Sequence, residues 1–364
     1  MEKFPPAPLK LTRTRKWQVN YPSMNKILRK FDRPGPDLDG KSILVTGGSG
    51  SFGHAFVRIV LENFKPSRLI VFSRDEMKQY EMAQLFDTAR HPCMRYFIGD
   101  VRDIDRLEMA MQDVDIVIHA AALKHVPIAE YNPFECINTN VVGAENVVKA
   151  AIRTKVGKVI ALSTDKAVNP INIYGASKLA SDKIFVAANQ LAGANGASFA
   201  VVRYGNVIGS RGSVVPLYRK LIGSGAATLP ITDPLMTRFW ITLRQGVNFV
   251  LSSLEMMAAG EIFVPKIPSM KMVDLARSLA PDLELETIGI RPGEKLHEML
   301  ITEDDARSTL ELEDRFVITP SFFPGDEKWR AHESSRVSKN FRYASDDNSE
   351  WLDADSLVAM LEDH

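Results

Sequence analysis

Ser42-Ile43-Leu44-Val45-Thr46-Gly47-Gly48-Ser49-Gly50-Ser51-Phe52-Gly53 runs from a short apolar strand into a glycine turn, and a helical pattern over Phe52 to Phe64 follows. Gly47, Gly50 and Gly53 fall in a G-x-x-G-x-x-G spacing. Glycine permits the tight turn, lets backbone N–H groups approach a pyrophosphate, and allows the helix to pack closely on its sheet. Unpaired N–H groups and the macrodipole at the helix N-terminus favour the phosphates there. A glycine turn alone is a weak signal. Set between a strand and a helix at the start of an α/β unit, it predicts dinucleotide binding, with Ser49, Ser51 and Phe52 completing the contact set.

Outward from this segment the same alternation returns at residues 69–72, 95–98, 115–118, 158–162 and 200–203. Six near-continuously apolar strands with helices between them predict an α/β fold, a doubly wound parallel sheet of Rossmann type covered on both faces. Beyond residue 207 glycines and prolines break the rhythm, and a smaller α+β substrate domain is expected. The predicted organisation is a basic extension over 1–38 and a dinucleotide-binding core over 39–207. Residues 208–325 are mainly the substrate domain, with some segments returning to the core, and 326–364 form an acidic tail.

Length and composition narrow the function. The chain has 364 residues, 45% hydrophobic and 25% charged, enough to bury a sizeable core. Its 45 basic residues balance 45 acidic ones, so nucleic acid is not expected as the main partner. Two cysteines, Cys93 and Cys136, make no disulfide framework and point to a reducing cytoplasm. No Cys/His cluster has zinc spacing, no apolar run is long enough to span a membrane, and the start lacks a signal-peptide core. Neither a metal nor a membrane is expected. Residues 1–39 hold nine Lys/Arg against four Asp/Glu, and 326–364 hold five against ten. Both ends read as solvated tails; the alternative, with Trp17, Tyr21 and Phe31 in view, is an arm docked on a neighbouring subunit.

Strand two ends in Ser73-Arg74-Asp75-Glu76. Asp75, 22 residues past Gly53, suits the ribose 2′-hydroxyl of NAD, whereas Arg74 and Lys78 suit the 2′-phosphate of NADP. Strand three ends in Gly99-Asp100-Val101, where Asp100 either reaches the adenine amine or caps the next helix. Strand five runs into Ser163-Thr164-Asp165-Lys166, and Tyr174-Gly175-Ala176-Ser177-Lys178 follows. Tyr174 and Lys178 share a helix face, and an ammonium beside a phenol lowers its pKa, making tyrosine a usable base for a substrate hydroxyl. His119, ending an apolar strand, reads as a satisfied core residue. Val247, Leu251 and Leu254 read as core or subunit interface.

These residues resemble the extended short-chain dehydrogenase/reductases. Ala120-Ala121-Ala122-Leu123-Lys124-His125-Val126-Pro127, Asn138-Thr139-Asn140, Ser163 to Ala167, Asn169 to Gly175, Arg203 to Val207, Met236 to Phe239 and Arg291 to Glu298 look like the inverting UDP-N-acetylglucosamine 4,6-dehydratases, which start pseudaminic acid synthesis. The resemblance covers roughly residues 38–352. It implies NADP, with NAD left open, held by the glycine turn, Ser73, Arg74, Lys78, Asp100, Val101, Ala120, Ala121, Lys124, Tyr174 and Lys178. It implies Tyr174 as the base at sugar C4, Lys178 as its electrostatic partner and Thr164 as an aid to the C4 oxygen. Asp165 would protonate the leaving C6 hydroxyl and a neutral Lys166 would take the C5 proton. Lys124, Asn206, Arg238, Arg291 and Glu294 are the implied nucleotide-sugar contacts. A homo-oligomer, specifically a hexamer, is implied, and flagellin glycosylation and surface polysaccharide both fit the product.

The competing enzyme readings are a retaining 4,6-dehydratase and a UDP-sugar epimerase; a plain C4 epimerase needs no elimination acid and base. The non-enzyme reading is a dinucleotide-sensing regulator, against which Tyr174 and Lys178 both stand. Asp165-Lys166 could also be an exposed ion pair of little energetic consequence.

Overall fold

β1 (Ser42–Thr46) is buried at every position, which is why its sequence is a continuous apolar run rather than an alternation. The chain crosses through the helix Ser51–Asn63, which buries Phe56, Val57 and Val60, and returns as β2 (Arg68–Ser73) and then β3 (Met94–Ile98) on one side of β1. It next switches sides: β4 (Ile116–His119), β5 (Lys158–Thr164) and β6 (Ser198–Tyr204) add in parallel on the other flank of β1. This reversal opens a crevice at the carboxyl ends of β1 and β4, the usual ligand position in such sheets. The protein is described by a computed structural model over residues 28–193, 196–210, 213–320 and 327–362.

Smaller sheets occupy the later part of the chain. β7 (Asn206–Val207) pairs with β9 (Thr237–Ile241), which pairs with β11 (Ser269–Lys271). β8 (Thr228–Ile231) pairs with β12 (Glu284–Thr287), and β13 (Met299–Ile301) with β16 (Tyr343–Ala344). These elements gather around a second core containing Tyr218, Leu229, Trp240, Met270 and Leu275. Three other segments go back to the main sheet. β10 (Ile262–Pro265) extends it in parallel beside β6, and β15 (Arg315–Ile318) and β14 (Thr309–Glu311) close its edge antiparallel. Among the described residues the sheet has nine strands, in the order β14-β15-β10-β6-β5-β4-β1-β2-β3, the six parallel ones expected being extended by β10, β15 and β14. Helix Leu243–Met256 places Val247, Leu251 and Leu254 in the main core.

The ends of the described chain are not solvated tails, which corrects the sequence expectation. Phe31 is buried edge-on against Phe249, with ring centroids 5.2 Å apart, and the Arg29 guanidinium donates two 2.6 Å bonds to Glu350. At the other end, helix Ala354–Glu362 buries Leu357 and Met360 in the second core. Charge counting missed both because a few buried apolar side chains, Phe31 and Leu38 at one end and Leu357 and Met360 at the other, decide where these charged segments go. Trp17 and Tyr21 lie outside the described residues. No helix among the described residues is long and apolar enough to cross a membrane.

Candidate active site

The glycine turn is built as a cradle. Gly47 has φ +66°, and a Cβ there would stand 2.8 Å from the backbone of Ala121 at the end of β4. A Cβ on Gly53 would lie 2.0 Å from the Gly48 carbonyl oxygen, so only glycine lets the helix begin this close to the turn. The helix starts at an N-cap of Gly50, with no side-chain cap and no acidic residue in its first turn. Its leading N–H groups thus face the crevice unneutralised, which suits a pyrophosphate. Ser49 Oγ donates to Ser73 Oγ at 2.9 Å, tying the turn to the end of β2. At the floor, Thr46 Oγ1 lies 2.8 Å from His119 Nδ1. His119 is only half satisfied, because its Nε2 has no partner among the described residues, and burial pushes its pKa down to about 3.

Beside this cradle, Asp75 is the N-cap of helix Glu76–Leu85; its carboxylate accepts from the Lys78 backbone N–H and pairs with Lys78 Nζ at 2.7 Å. Those bonds hold its pKa below the ordinary value. Arg74 is half exposed and 3.6 Å from Asp100. The helix after Asp100 is capped by Asp103 and not by Asp100, whose carboxylate instead takes the Arg102 guanidinium at 2.7 Å. Burial opposes ionisation of Asp100, but the Arg102 bonds prevail and keep its pKa low. Val101 is buried in the main core, and Lys124 is exposed on the loop after β4, where Leu123 makes two main-chain bonds with the Asn140 amide.

The second cluster sits at the carboxyl end of β5. Helix Ile173–Ala192 is started by Asn172, whose Oδ1 accepts from the Gly175 N–H at 2.7 Å while its Nδ2 donates to the Gly293 carbonyl at 2.7 Å. Its first turn is pressed so tightly on the turn carrying Lys166 that a Cβ on Gly175 would be 2.1 Å from the Lys166 carbonyl oxygen. Thr164, Asp165, Lys166 and Tyr174 are thereby brought together. Thr164 Oγ1 donates to Asp165 Oδ1 at 2.9 Å, and the same hydroxyl opposes the rise in the pKa of the Tyr174 phenol. Lys166 Nζ donates to Asp165 Oδ1 at 3.1 Å and to Asn206 Oδ1 at 3.2 Å. The exposed-ion-pair reading fails here, because Asp165 is 0% exposed and its Oδ2 has no hydrogen-bond partner among the described residues.

A residue that sequence reasoning missed completes the cluster. Glu298, 2% exposed, lies with Oε1 3.2 Å from Lys166 Nζ and Oε2 3.6 Å from Lys295 Nζ. Burial alone would keep its proton on, but Lys166, Arg238 and Lys295 outweigh it and lower its pKa. Asp165 moves the opposite way: burial is the largest cause, Lys166 opposes it, and the Glu298 charge adds to the rise. Lys166 is raised despite burial, by Asp165 and Glu298. Both carboxylates favour its ammonium form, so a base role for Lys166 requires that a proton first be moved off it.

Tyr174 lies beside this pair. Burial pushes its pKa up to about 12, and the cation that opposes this rise is Lys166 rather than Lys178. Lys178, one turn along and 3% exposed, is itself lowered by burial, with Asp182 and Cys136 resisting. Arg238 is 6% exposed and gives its guanidinium to the carbonyls of Thr237, Lys295 and Leu296, so it braces the Glu298 segment instead of presenting a free fork. Arg291 remains half exposed, 3.6 Å from Glu294, whose buried Oε2 has no hydrogen-bond partner among the described residues. Among the described residues no group of three or more His, Cys, Asp or Glu could hold a metal.

Residues 43–320 match the family described as polysaccharide biosynthesis protein. The inverting UDP-N-acetylglucosamine 4,6-dehydratase of Campylobacter jejuni is 57% identical over 327 residues, covering 88% of this chain and 97% of its own. Among solved structures, the Pen protein of Bacillus thuringiensis superposes with a TM-score of 0.81 at 35% identity, over 90% of this chain and 100% of its own. The dTDP-glucose 4,6-dehydratase DesIV of Streptomyces venezuelae, solved with NAD bound, gives 0.62 at 25% identity, over 70% and 86%.

Proposed function

The chain belongs to the polysaccharide biosynthesis protein family, within the extended short-chain dehydrogenase/reductases, and from that membership we propose that it is an inverting UDP-N-acetylglucosamine 4,6-dehydratase. The product is UDP-2-acetamido-2,6-dideoxy-β-L-arabino-hex-4-ulose. The observation that carries this reading is the buried Asp165–Lys166 contact beside Tyr174. Elimination needs an acid and a base on adjacent sugar carbons, and a C4 epimerase has no use for that pair.

A nicotinamide cofactor, held by the turn of Gly47, Gly50 and Gly53, would supply the hydride chemistry, removal of hydride from C4 and its return to C6. The Tyr174 phenol first gives its proton to solvent, a loss that the Lys166 ammonium and the Thr164 hydroxyl ease, and the resulting phenolate accepts the C4 hydroxyl proton and is left as the neutral phenol. With a ketone at C4 the C5 proton becomes acidic. Moving one proton across the 3.1 Å from Lys166 Nζ to Asp165 Oδ1 creates both required species at once, a neutral amine and a carboxylic acid. The amine takes the C5 proton, the C5–H electrons form the C5–C6 double bond, and the C6 hydroxyl departs as water with the Asp165 proton. Lys166 and Asp165 are then back in their ionised forms. A proton delivered to the opposite face inverts C5, so it comes from elsewhere, ultimately from solvent. Arg291 and Asn206 are the nucleotide-sugar contacts this reading retains, with Lys124 at the mouth of the loop after β4.

For the cofactor we favour NADP. Asp75 is committed to its helix cap and to Lys78, while Arg74 keeps a half-exposed guanidinium beside the end of β2, which suits a 2′-phosphate. A homo-oligomer, with a hexamer as the specific proposal, is supported by exposed Tyr131, Phe134 and Ile128 on consecutive short helices; light scattering that gives a monomer at micromolar concentration overturns it. Pseudaminic acid synthesis, feeding flagellin or surface glycans, is the proposed use of the product.

Proton NMR with UDP-N-acetylglucosamine and catalytic NADP in deuterated water tests the reaction. A C6 methyl signal with deuterium at C5 and the L-arabino configuration is the expected result. The D-xylo product would assign the retaining reaction, and no turnover would reject the dehydratase.

A further inference from the structure

We propose that Glu298 is the positioning residue of the elimination pair, holding Lys166 from the C-terminal side and setting the pH window in which Asp165 and Lys166 share one proton. The inference rests on the dehydratase reading and goes beyond it, because the family chemistry needs only an acid and a base, and here two carboxylates flank one ammonium.

Glu298 reaches the cluster by a built route. Its backbone N–H donates to Ser345 Oγ at 2.9 Å, and its carbonyl accepts from the Ser345 N–H at 2.7 Å, so the residue just after β16 clamps it from behind. Ser345 Oγ and Thr237 Oγ1 are 2.7 Å apart, and Thr237 Oγ1 lies 2.8 Å from His297 Nδ1. Arg238 fixes the preceding Lys295 and Leu296 carbonyls. Such bracing of a carboxylate that is 2% exposed costs desolvation, and a surface position would avoid it. Its Oε1 instead meets the Lys166 ammonium at 3.2 Å, while Asp165 meets the same ammonium at 3.1 Å.

The charges facing this group are Lys166 and Asp165 from the turn after β5, Arg238 from β9, and Lys295 from its own segment. The productive ionisation of the pair has one proton between Asp165 and Lys166. Gain of a second proton silences the base, and loss of the one proton silences the acid, so elimination has a bell-shaped profile. The negative charge of Glu298 favours the protonated form of both partners and therefore lifts both limbs. Glu298 is not among the groups that shift Tyr174 directly; burial is the largest cause there, with Lys166 next, so C4 oxidation feels Glu298 only through Lys166 and responds less than C5 exchange.

Glu298→Gln keeps the shape and removes the charge. In single turnovers with NADP bound, C5 deuterium exchange is followed against pH alongside the transient absorbance of the reduced nicotinamide. Both limbs of the exchange profile are expected to move to lower pH by about one unit, the usual scale for an opposite or like charge within hydrogen-bond reach. The oxidation profile should move by clearly less, since Tyr174 is coupled to Glu298 only through Lys166. Glu298→Asp, which retains the charge, should restore most of the shift, and Lys295→Met, which removes a cation, should move the limbs upward. An unmoved exchange profile in Glu298→Gln, or equal movement of oxidation and exchange, overturns the proposal. If Glu298→Gln does not fold, Lys295→Met tests the same coupling through the opposite shift, and an unmoved profile there overturns the proposal equally. Wild-type protein that exchanges no C5 deuterium at all would instead overturn the dehydratase reading.

Discussion

The glycine cradle and the β5 cluster lie at the same edge of one sheet, yet they are specified differently. The cradle is made by backbone: Gly47, Gly50 and Gly53 sit within seven consecutive residues, and what they do follows from a missing Cβ. The β5 cluster is made by charge: Asp165 and Lys166 are adjacent, but their protonation depends on Glu298, 132 residues further on from Lys166. A short-range steric motif can be read from its own letters, whereas an ionisation state is a property of everything packed around it.

The sharpest way to separate the two regions is Lys166→Ala. General-base catalysis contributes about a hundred- to ten-thousandfold, so C5 exchange should fall by roughly a thousandfold. NADP affinity measured by titration calorimetry should be unchanged. Exchange at the wild-type rate would remove Lys166 from the chemistry.

The converse variant is Gly53→Ala. Its Cβ would stand 2.0 Å from a carbonyl oxygen, so the helix must move away from the turn, at a cost of about 1–3 kcal/mol. Cofactor affinity should weaken about ten- to a hundredfold, with the loss visible in Kd before any effect on C5 chemistry at saturating NADP. Wild-type affinity would mean that the cradle tolerates a displaced helix.

Legibility in the sequence followed the same division. The first six strands, the glycine turn and the run from Thr164 to Lys178 could be read because each is local and periodic. β14 and β15 could not, since Thr309–Glu311 and Arg315–Ile318 are short and antiparallel, without the helix that normally announces a parallel strand. Arg238 was legible as an arginine but not as a brace, because two of its three carbonyl partners come from a loop that only the fold brings near. Glu298 stood in plain sight three residues after Lys295, and its burial was the missing information.

His119 joins the cradle to charge and offers a pH test. Its folded pKa of about 3 is far below the ordinary 6.5, so the folded state resists protonation while the unfolded chain accepts it. Stability from this group is complete above pH 6.5 and is lost as pH falls from there toward 3, by about 2 kcal/mol at pH 5. Thermal unfolding of His119→Gln should show a correspondingly flatter decline between about pH 6.5 and 5 than the wild type. Parallel declines would mean that His119 stays neutral for reasons the unfolded chain shares.

The smallest expected effect lies where the two kinds of specification meet, at Arg74. Its guanidinium stands beside the end of β2, half exposed and 3.6 Å from Asp100, so its pairing with any phosphate is screened by water and competes with a neighbouring carboxylate. Arg74→Ala should therefore cost about 1 kcal/mol of NADP binding, roughly fivefold in Kd, and leave NAD binding unchanged. The difference between the two cofactors matters more than either value, because the glycine cradle is common to both and cancels. Equal losses for NADP and NAD would show that Arg74 acts on the Asp100 loop rather than on a 2′-phosphate, and the preference would then have to come from Lys78 or from backbone alone.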